Sequence, residues 1–462
     1  MERAPVILDG AGLSCGDVHA VAHGRAEVAV GPADRARAAW AAARELTGPV
    51  YGRATGVGAN KDVAVEHGGH DLLRSHACGA GPLVAPERAR AMLAVRLNQL
   101  LAGGSGVDPA VLPVLAYAVN AGFTPPVRTY GAIGTGDLTA LATTALCLLG
   151  ELPWHGPEQG TGQDAEQGFQ QGFQQGEAGA APVFALAPED ALPFISSGAA
   201  TLADAALACH RLRELLDAAV GVAALSFAAA GASAEPLAAA VQEARPHPGQ
   251  AAVAERLRAL HAPGPSARVQ DSYGYRAFAQ VHGAALDALG RAERAVETDL
   301  NAATENPLVS GSLAWHNGNF HSAPVALALD ALRAALVQTA QLGAARLATL
   351  MDPAYTGGLP FLADRPGASG AMILEYVAQD ALAELRHLAG PVTTGTAVIS
   401  LGTEDHAGFA TQAARQALRC VEPYEIVLAC ERVAATRALD GPAPDRPLTG
   451  DLDAALSVLR AP

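Results

Sequence analysis

The sequence predicts an all-α protein built as an elongated helical bundle. Apolar residues recur at steps of three and four, as they do on one face of a helix, over 88–102, 325–350 and 371–388. Alanine fills many of the positions between them, which favours helix and lets neighbouring helices approach closely. Alternating β-branched runs are few, and no strand–helix–strand rhythm is visible. This combination is typical of a helical bundle in which strands are a minor component.

The composition of the 462 residues fits a protein that buries a large core. Half of the residues are apolar and 17% are charged, which is the opposite of the balance in disordered chains. The net charge of −15 argues against a nucleic-acid partner, because binding to phosphates needs a clustered positive surface. The chain opens without a secretory signal, and its longest uncharged run, 218–234, is short for a membrane span. We therefore expect a soluble protein of the cytoplasm without a membrane partner.

Glycine and proline divide the chain into four segments. We expect an N-terminal region over 1–155, a central bundle of long helices over 183–439, and a short tail over 440–462 that ends in a last short helix. Residues 156–182 are rich in glutamine and glycine and cannot bury a core. We expect this stretch to be a flexible surface insert.

Cysteine and histidine spacing gives no sign of a metal site or of a disulfide framework. The six cysteines stand far apart, without a C-x-x-C pair, at positions 15, 78, 147, 209, 420 and 430. We expect them to be reduced residues of the core. No set of histidine, aspartate and glutamate residues shows the spacing of metal ligands.

Three glycine-bearing stretches interrupt the helical pattern and are candidates for binding loops. They read YGRATGVG over 51–58, SHACGAG over 75–81 and GAIGTGDL over 131–138. Closely spaced glycines permit positive φ angles and a close approach of the backbone to a ligand, although any one stretch alone would be an ordinary turn. The first is only superficially similar to a dinucleotide fingerprint, since no βαβ unit frames it.

Four further motifs, in this order, indicate a family. They read QDSYGYR over 270–276, ENPL over 305–308, GNFH over 318–321 and TEDH over 403–406. With the three glycine stretches, the region from about 50 to 435 resembles the histidine/aromatic amino-acid ammonia-lyase family. The resemblance implies an all-α bundle of the fumarase/aspartase-like type and a homotetramer whose active sites are each assembled from three chains.

The resemblance also implies a small-molecule substrate and a cofactor made by the chain itself. In the family an Ala-Ser-Gly tripeptide cyclises and loses two waters, which produces the electrophile methylidene-imidazolone (MIO), so no diffusible cofactor is needed. The electrophile sits against helix N-termini, whose partial positive charge favours the negative charge that builds up on it. A tyrosine removes the β-proton of the substrate, and ammonia leaves.

The motifs place four of the family's catalytic and binding roles on residues of this chain. Tyr51 matches the catalytic base, and Tyr273 matches the second active-site tyrosine, with Gln270 beside it in the pocket. Arg276 matches the arginine that grips the substrate carboxylate, a bidentate task that suits a guanidinium group. Alone, each of these residues would more often have a structural role.

The resemblance also assigns the residues that would contact the substrate side chain. Phe320 matches an aromatic wall, with Asn319 beside it, and His76 and Glu404 match the selectivity pair of the histidine-specific branch. We therefore expect a polar or hydrogen-bonding substrate side chain. Two other histidines of the motifs are expected to make structural hydrogen bonds, His321 and His406.

The cofactor segment departs from the family pattern. Gly134-Thr135-Gly136 stands where the family has Ala-Ser-Gly, and the loop before it is one residue shorter. A ring made from Thr135 would carry a methyl group on its exocyclic carbon, where the substrate must add, and so would be hindered. The family's cofactor-binding asparagine is also replaced, because Ile195 or Ser196 falls at its position.

These departures leave three hypotheses open. The first is a family enzyme in which Tyr51 performs acid–base chemistry (elimination, addition, isomerisation or cyclisation) on an activated carboxylate-bearing molecule, without a standard MIO. General-base help supplies only about 10²–10⁴-fold in rate, which is too little for the barely acidic β-proton of a free amino acid. The second is a true ammonia-lyase or aminomutase with a methyl-substituted MIO from Thr135. The third is a non-catalytic homologue that acts as a binding subunit.

Overall fold

The structure, a computed structural model, describes residues 4–65, 69–156, 179–261 and 268–460. Most of these residues are helical, which confirms the predicted fold class. The strands found in the described ranges have three or four residues each and form two-stranded pairs. The parallel pair is β1 (Val6–Leu8) with β2 (Val28–Val30). The antiparallel pairs are β3 (Ala80–Leu83) with β4 (Arg128–Tyr130), and β5 (Leu308–Ser310) with β6 (Leu313–Trp315).

The helices begin and end close to the sequence predictions. The periodic stretches 88–102 and 325–350 fall in helices Pro86–Ala102 and Ala323–Leu350, and the stretch 371–388 begins two residues before helix Ile373–Leu388. In chain order the helices are α1 (Cys15–Ala22), α2 (Asp34–Arg44), α3 (Gly69–His76), α4 (Pro86–Ala102), α5 (Val111–Ala121), α6 (Leu138–Leu148), α7 (Ala191–Ile195), α8 (Ala199–Ala230), α9 (Ala239–Glu243), α10 (Pro248–Leu260), α11 (Tyr273–Arg276), α12 (Phe278–Leu300), α13 (Ala323–Leu350), α14 (Pro353–Thr356), α15 (Ile373–Leu388), α16 (Ala410–Arg419), α17 (Val421–Asp440) and α18 (Thr449–Arg460).

The chain forms two compact units, each assembled from three stretches of sequence. The first unit contains Met1–Leu207, Glu293–Leu327 and Val392–Arg415. The second unit contains Ala208–Ala292, Ala328–Pro391 and Gln416–Pro462. The four sequence segments stay a prediction, and residues 157–178 of the expected insert lie outside the described residues.

The first unit is organised around α4, which is buried along most of its length and packs against α1 and α5. Pro86 opens this helix, where its fixed φ suits the first turn, and Gly103 ends it with a φ of +79°. Arg96 of α4 is 1% exposed and donates a 2.9 Å hydrogen bond to Oε1 of the equally buried Glu305. Arg96 also donates to the carbonyls of Phe194 and Pro193. The pair therefore fixes two segments that reach the cavity described below.

The second unit packs α15 against α17 and α17 against α18. Its core also holds a buried ion pair, in which Arg346 Nε lies 2.6 Å from Glu431 Oε1. Ser226 donates a 2.7 Å hydrogen bond to the same carboxylate. Such an arrangement is tolerated in a core because the buried charges are paired and hydrogen-bonded.

Two sequence expectations need comment here. The cysteines of the described residues form no disulfide with one another, and five are buried, but Cys78 is exposed, so the core assignment was wrong for Cys78. It falls just after α3, among residues that are exposed or half-buried. Among the described helices, Ala323–Leu350 is long and apolar enough to cross a membrane, and half of its most apolar window is buried within the protein. Buried core helices meet the same criterion, so this is weak evidence for a span.

Candidate active site

A cavity of about 680 Å³ in the first unit brings several predicted residues together. Five of them line it: Tyr51, Thr135, Gly136, Phe320 and Glu404. Further polar residues of the lining are Thr55, Lys61, Asp62, Ser196, Ser197, Asn306, His316, Asn317, His321, Thr403, Asp405 and His406. The lining thus draws on loops that are far apart in sequence, as active sites commonly do.

Tyr51 is held at the cavity wall by its own loop. Its phenolic oxygen accepts a 2.8 Å hydrogen bond from the backbone N–H of Gly58, which turns back with a φ of +56°. Its backbone N–H donates to Nε2 of His316 at 3.2 Å. Burial raises the pKa of the Tyr51 phenol, and the Glu404 carboxylate adds to this, while the Gly58 N–H and Lys61 oppose it. Tyr51 is therefore a neutral phenol at neutral pH.

The cavity has an acidic side. Glu404, Asp405 and Asp62 all line it, and Lys61, the one lysine or arginine of the lining, lies 3.3 Å from Asp62. Glu404 belongs to a short hairpin in which the Ile399 N–H donates to the Glu404 carbonyl at 2.8 Å. This side suits a cationic or hydrogen-donating part of a ligand.

The tripeptide Gly134-Thr135-Gly136 lies at the cavity with its first residue tightly enclosed. Gly134 has a φ of +90°, and a Cβ atom at this position would lie 2.3 Å from the backbone nitrogen of Ala410. The loop is tied there because the Phe409 N–H donates to the Ile133 carbonyl at 2.9 Å. Contacts below 3.0 Å with backbone atoms force the structure to shift, so the family's alanine has no room at position 134.

The segment that carries the family's cofactor-binding asparagine presents hydroxyl groups in this chain. Ser196 Oγ accepts a 3.0 Å hydrogen bond from the Asn306 N–H, and Ser197 Oγ donates to Gln99 Oε1 at 2.5 Å. Both hydroxyls are thus engaged with protein partners. This segment therefore offers no carboxamide at the position of the family's asparagine.

A buried carboxylate stabilises the backbone behind the tripeptide. Asp137 accepts hydrogen bonds from the backbone N–H of Thr201 at 2.7 Å and from the Thr201 hydroxyl at 2.8 Å. Its own N–H donates to the Ser197 carbonyl at 2.7 Å. Burial raises the pKa of Asp137 to about 6 despite these hydrogen bonds. Asp137 therefore joins the start of α6 to the start of α8.

Replacing Gly134 tests how tightly the tripeptide is enclosed. Gly134→Ala is expected to lower the free energy of unfolding by about 1–3 kcal/mol more than Gly150→Ala, because overpacking adds to the cost of the positive φ. Gly150 is the matched control, since its φ is +74° and nothing lies within 4 Å of a Cβ built there. Urea unfolding of both variants measures the difference. Equal losses would contradict the packing described for Gly134.

Comparison with known proteins identifies the family. The aromatic amino acid lyase family model matches residues 13–461. The chain belongs to the aromatic amino acid lyase family. It is 35% identical to the histidine ammonia-lyase of Streptomyces coelicolor, over 99% of this chain and 96% of that protein.

Solved structures of this family share the fold. The histidine ammonia-lyase of Trypanosoma cruzi is 30% identical, with a TM-score of 0.86 over 99% of this chain and 93% of that one. The tyrosine aminomutase of Streptomyces globisporus is also 30% identical, with a TM-score of 0.85 over 99% and 97% of the two chains. The chain is thus a lyase-family enzyme, whose relatives carry out more than one reaction.

His76 and Asn319, both assigned from the lyase resemblance, lie in the first unit but do not line the main cavity. His76 lines an adjoining cavity of about 500 Å³ in the same unit, and Thr55 borders both cavities. His76 Nδ1 lies 2.9 Å from the Leu72 carbonyl, and this hydrogen bond is within helix α3. Asn319 is exposed, and its N–H donates to Oδ1 of Asn317, which does line the main cavity.

Three further residues assigned from the lyase resemblance, Gln270, Tyr273 and Arg276, form a cluster in the second unit. Arg276 donates a 2.6 Å hydrogen bond to Gln270 Oε1, and its guanidinium lies 4.6 Å from the centre of the Tyr273 ring. Tyr273 is 69% exposed. The residues that line the main cavity, Tyr51 among them, all belong to the first unit. The cluster therefore belongs to a different unit from Tyr51.

Several lining residues were not singled out as site residues from the sequence. Asn306 and His316 lie within or beside quoted motifs, and Asp405 is the neighbour of Glu404. Their position within or beside a motif was the sequence signal that could have identified them. That position does not show which residues of a motif face the cavity. The expected hydrogen bonding of His321 and His406 is confirmed, since His321 Nε2 lies 2.9 Å from His406 Nδ1.

Proposed function

We propose that this enzyme uses Tyr51 to move a proton on a substrate that arrives already activated, without an MIO-type electrophile. The replacement of the family's serine by Thr135 is the observation that carries the proposal, because a ring made from threonine would carry a methyl group on the exocyclic carbon where the substrate must add. Tyr51 nevertheless keeps a defined position and a backbone donor at 2.8 Å. The chain therefore keeps the proton-transfer group, whereas the residues that would form and bind the electrophile differ from the family pattern.

The chemistry requires an acidified carbon–hydrogen bond. The Tyr51 phenolate takes the proton, and the electron pair of that bond moves into a neighbouring electron-poor group of the substrate. The proton then returns at another atom, which gives isomerisation, or a leaving group departs, which gives elimination. A general base contributes about 10²–10⁴-fold, so the activating group must lower the rest of the barrier.

The cavity supports a substrate with a polar or cationic side chain and a carboxylate. Glu404 and Asp405 offer the acidic side, and relatives named histidine ammonia-lyase make an imidazole a reasonable side chain. Arg276 would grip the carboxylate. We infer a homotetramer in which the Gln270–Tyr273–Arg276 cluster of one chain reaches the cavity of another. The exposure of Tyr273 supports this arrangement.

Similarity to named relatives favours a second candidate, a true ammonia-lyase with a ring made from Thr135. Intact-mass measurement separates the two candidates. We expect the purified chain to have the full mass of its sequence, because Ile195 or Ser196 stands where the family has its cofactor-binding asparagine. We expect Thr135→Ser, which restores the family's serine, to stay unmodified as well. A chain two waters lighter would establish the second candidate.

A deuterium-exchange assay tests the proposed function itself. The α-keto analogue of histidine has a β-carbon acidified by its ketone, whereas L-histidine does not. In deuterium oxide, the enzyme is expected to accelerate exchange at the β-carbon of the keto acid and to release no ammonia from L-histidine. Proton NMR follows the first reaction and an ammonia assay the second. Ammonia release without any accelerated exchange would reverse the ranking of the two candidates.

A further inference from the structure

The loop that follows Val398 concentrates backbone strain next to the cavity. In the described ranges, five residues other than glycine have a positive φ. Three of them lie within ten residues of each other, Ser400 at +53°, Leu401 at +53° and Phe409 at +51°. Such conformations cost energy and persist where surrounding contacts impose them, commonly at functional sites. The contacts of Ser400 show what the strain achieves.

Ser400 is bound to the loop that carries Tyr51. Its Oγ accepts a 2.9 Å hydrogen bond from the backbone N–H of Ala59, across 341 positions of sequence. The hydroxyl lies so close to Gly58 that a Cβ there would be 2.3 Å from it, which explains the glycine at that position. The strained turn therefore seats a side-chain oxygen directly against the turn Gly58–Asn60.

The same turn supplies the hydrogen bond to the phenol. The Gly58 N–H donates to the Tyr51 oxygen at 2.8 Å, and the Ala59 N–H donates to Ser400. The N–H groups of Gly58 and Ala59 thus donate to two different oxygens. The hydrogen bond from Ala59 to Ser400 holds the turn, and this helps to orient the Gly58 N–H toward Tyr51. A backbone N–H stabilises a phenolate more than a phenol, because a hydrogen bond to a charged acceptor is stronger.

We propose that Ser400 is a positioning residue that holds the Gly58 N–H on the Tyr51 oxygen. Ser400 acts through the turn Gly58–Asn60 and does not itself transfer a proton. The catalytic consequence rests on the proposed function, whereas the effect on the phenol does not. Other titratable groups face Tyr51, namely Glu404 from the strained hairpin, Lys61 after the turn and His316 at the Tyr51 backbone.

Ser400→Gly is the appropriate variant, because glycine accepts the positive φ while the hydroxyl is lost. The phenol of Tyr51 can be titrated by NMR in protein labelled with carbon-13 at tyrosine Cζ, and its signal is assigned by its absence in Tyr51→Phe. We expect the midpoint to move upward by about one pH unit in Ser400→Gly, because the phenolate loses an ordered donor. Ser400→Asn, which tolerates this backbone conformation and carries an acceptor oxygen, is expected to keep the Tyr51 midpoint close to the wild-type value.

The control is Ser457→Ala, which removes an exposed hydroxyl bonded to Asp453 and should leave the titration of Tyr51 unchanged. An unchanged Tyr51 midpoint in Ser400→Gly would overturn the inference. So would an equal shift in Ser400→Asn, because a loosened loop alone would then account for it. The titration needs no substrate. If it shifts as expected while the wild-type protein exchanges no keto-acid proton, the proposed function fails and the positioning role stands.

Discussion

Tyr51→Phe is expected to slow β-carbon exchange on the α-keto analogue of histidine by about 10²–10⁴-fold, the usual contribution of a positioned base. The substitution removes one oxygen that accepts from the Gly58 N–H and lines the cavity. Proton NMR in deuterium oxide measures the rate. Tyr376→Phe is the control, since Tyr376 is 66% exposed and lies in helix α15 of the second unit, and its rate should equal that of the wild type.

The pH dependence gives a second measurement of the same residue. Burial raises the pKa of Tyr51, so the phenolate fraction is small at neutral pH and grows as the pH rises. The wild-type exchange rate is therefore expected to increase through the alkaline range, and the slow residual rate of Tyr51→Phe should lack this enzyme-dependent rise. A rate that Tyr51→Phe leaves intact at every pH would exclude Tyr51 as the base.

Arg96→Met is expected to lower the free energy of unfolding by about 3–5 kcal/mol, the usual cost of leaving one partner of a buried ion pair alone. Both side chains of the Arg96–Glu305 pair are 1% exposed. The variant also leaves the Phe194 and Pro193 carbonyls without their donors. Urea unfolding measures the loss. Arg37→Met, which breaks an exposed pair with Asp34, should cost less than about 1 kcal/mol.

The free energy of unfolding that Arg96→Met loses should depend on pH in a defined direction. Burial raises the pKa of Glu305, and Arg96 opposes this shift. Without Arg96, the buried carboxyl favours its neutral form more strongly, so the native state binds this proton more tightly than the unfolded state does. The loss should therefore shrink as the pH falls toward mildly acidic values and grow as the pH rises. A loss that is the same across this range would point to packing as its cause.

Much of the fold could be predicted from periodicity. Helix α4 has apolar residues at helical spacing, a proline in its first turn and glycine at its end, and each of these signals is local. Cys78 shows the limit of composition, because a cysteine is usually buried but this one lies in an exposed segment after α3. The two units could not be read from segment boundaries, because each combines distant stretches of chain.

The site shows the same division. Tyr51, Thr135 and Glu404 could be named from motifs, and they do share one cavity. His76 was named by the same reasoning but lines the adjoining cavity, because spacing along the chain does not determine the direction of a side chain after folding. Asn319 and Asn317 are two residues apart, yet only Asn317 faces the cavity.

The sequence by itself determined the helical class, the family motifs and the replacement of the cofactor serine by Thr135. These features depend on residue identity and short-range spacing. Only the tertiary structure decided that Gly134 is enclosed by Ala410 and that Ser400 holds the loop of Tyr51, since each contact joins residues hundreds of positions apart. Steric fit and hydrogen-bond geometry depend on where the backbone finally lies, and the order of residues does not record that position.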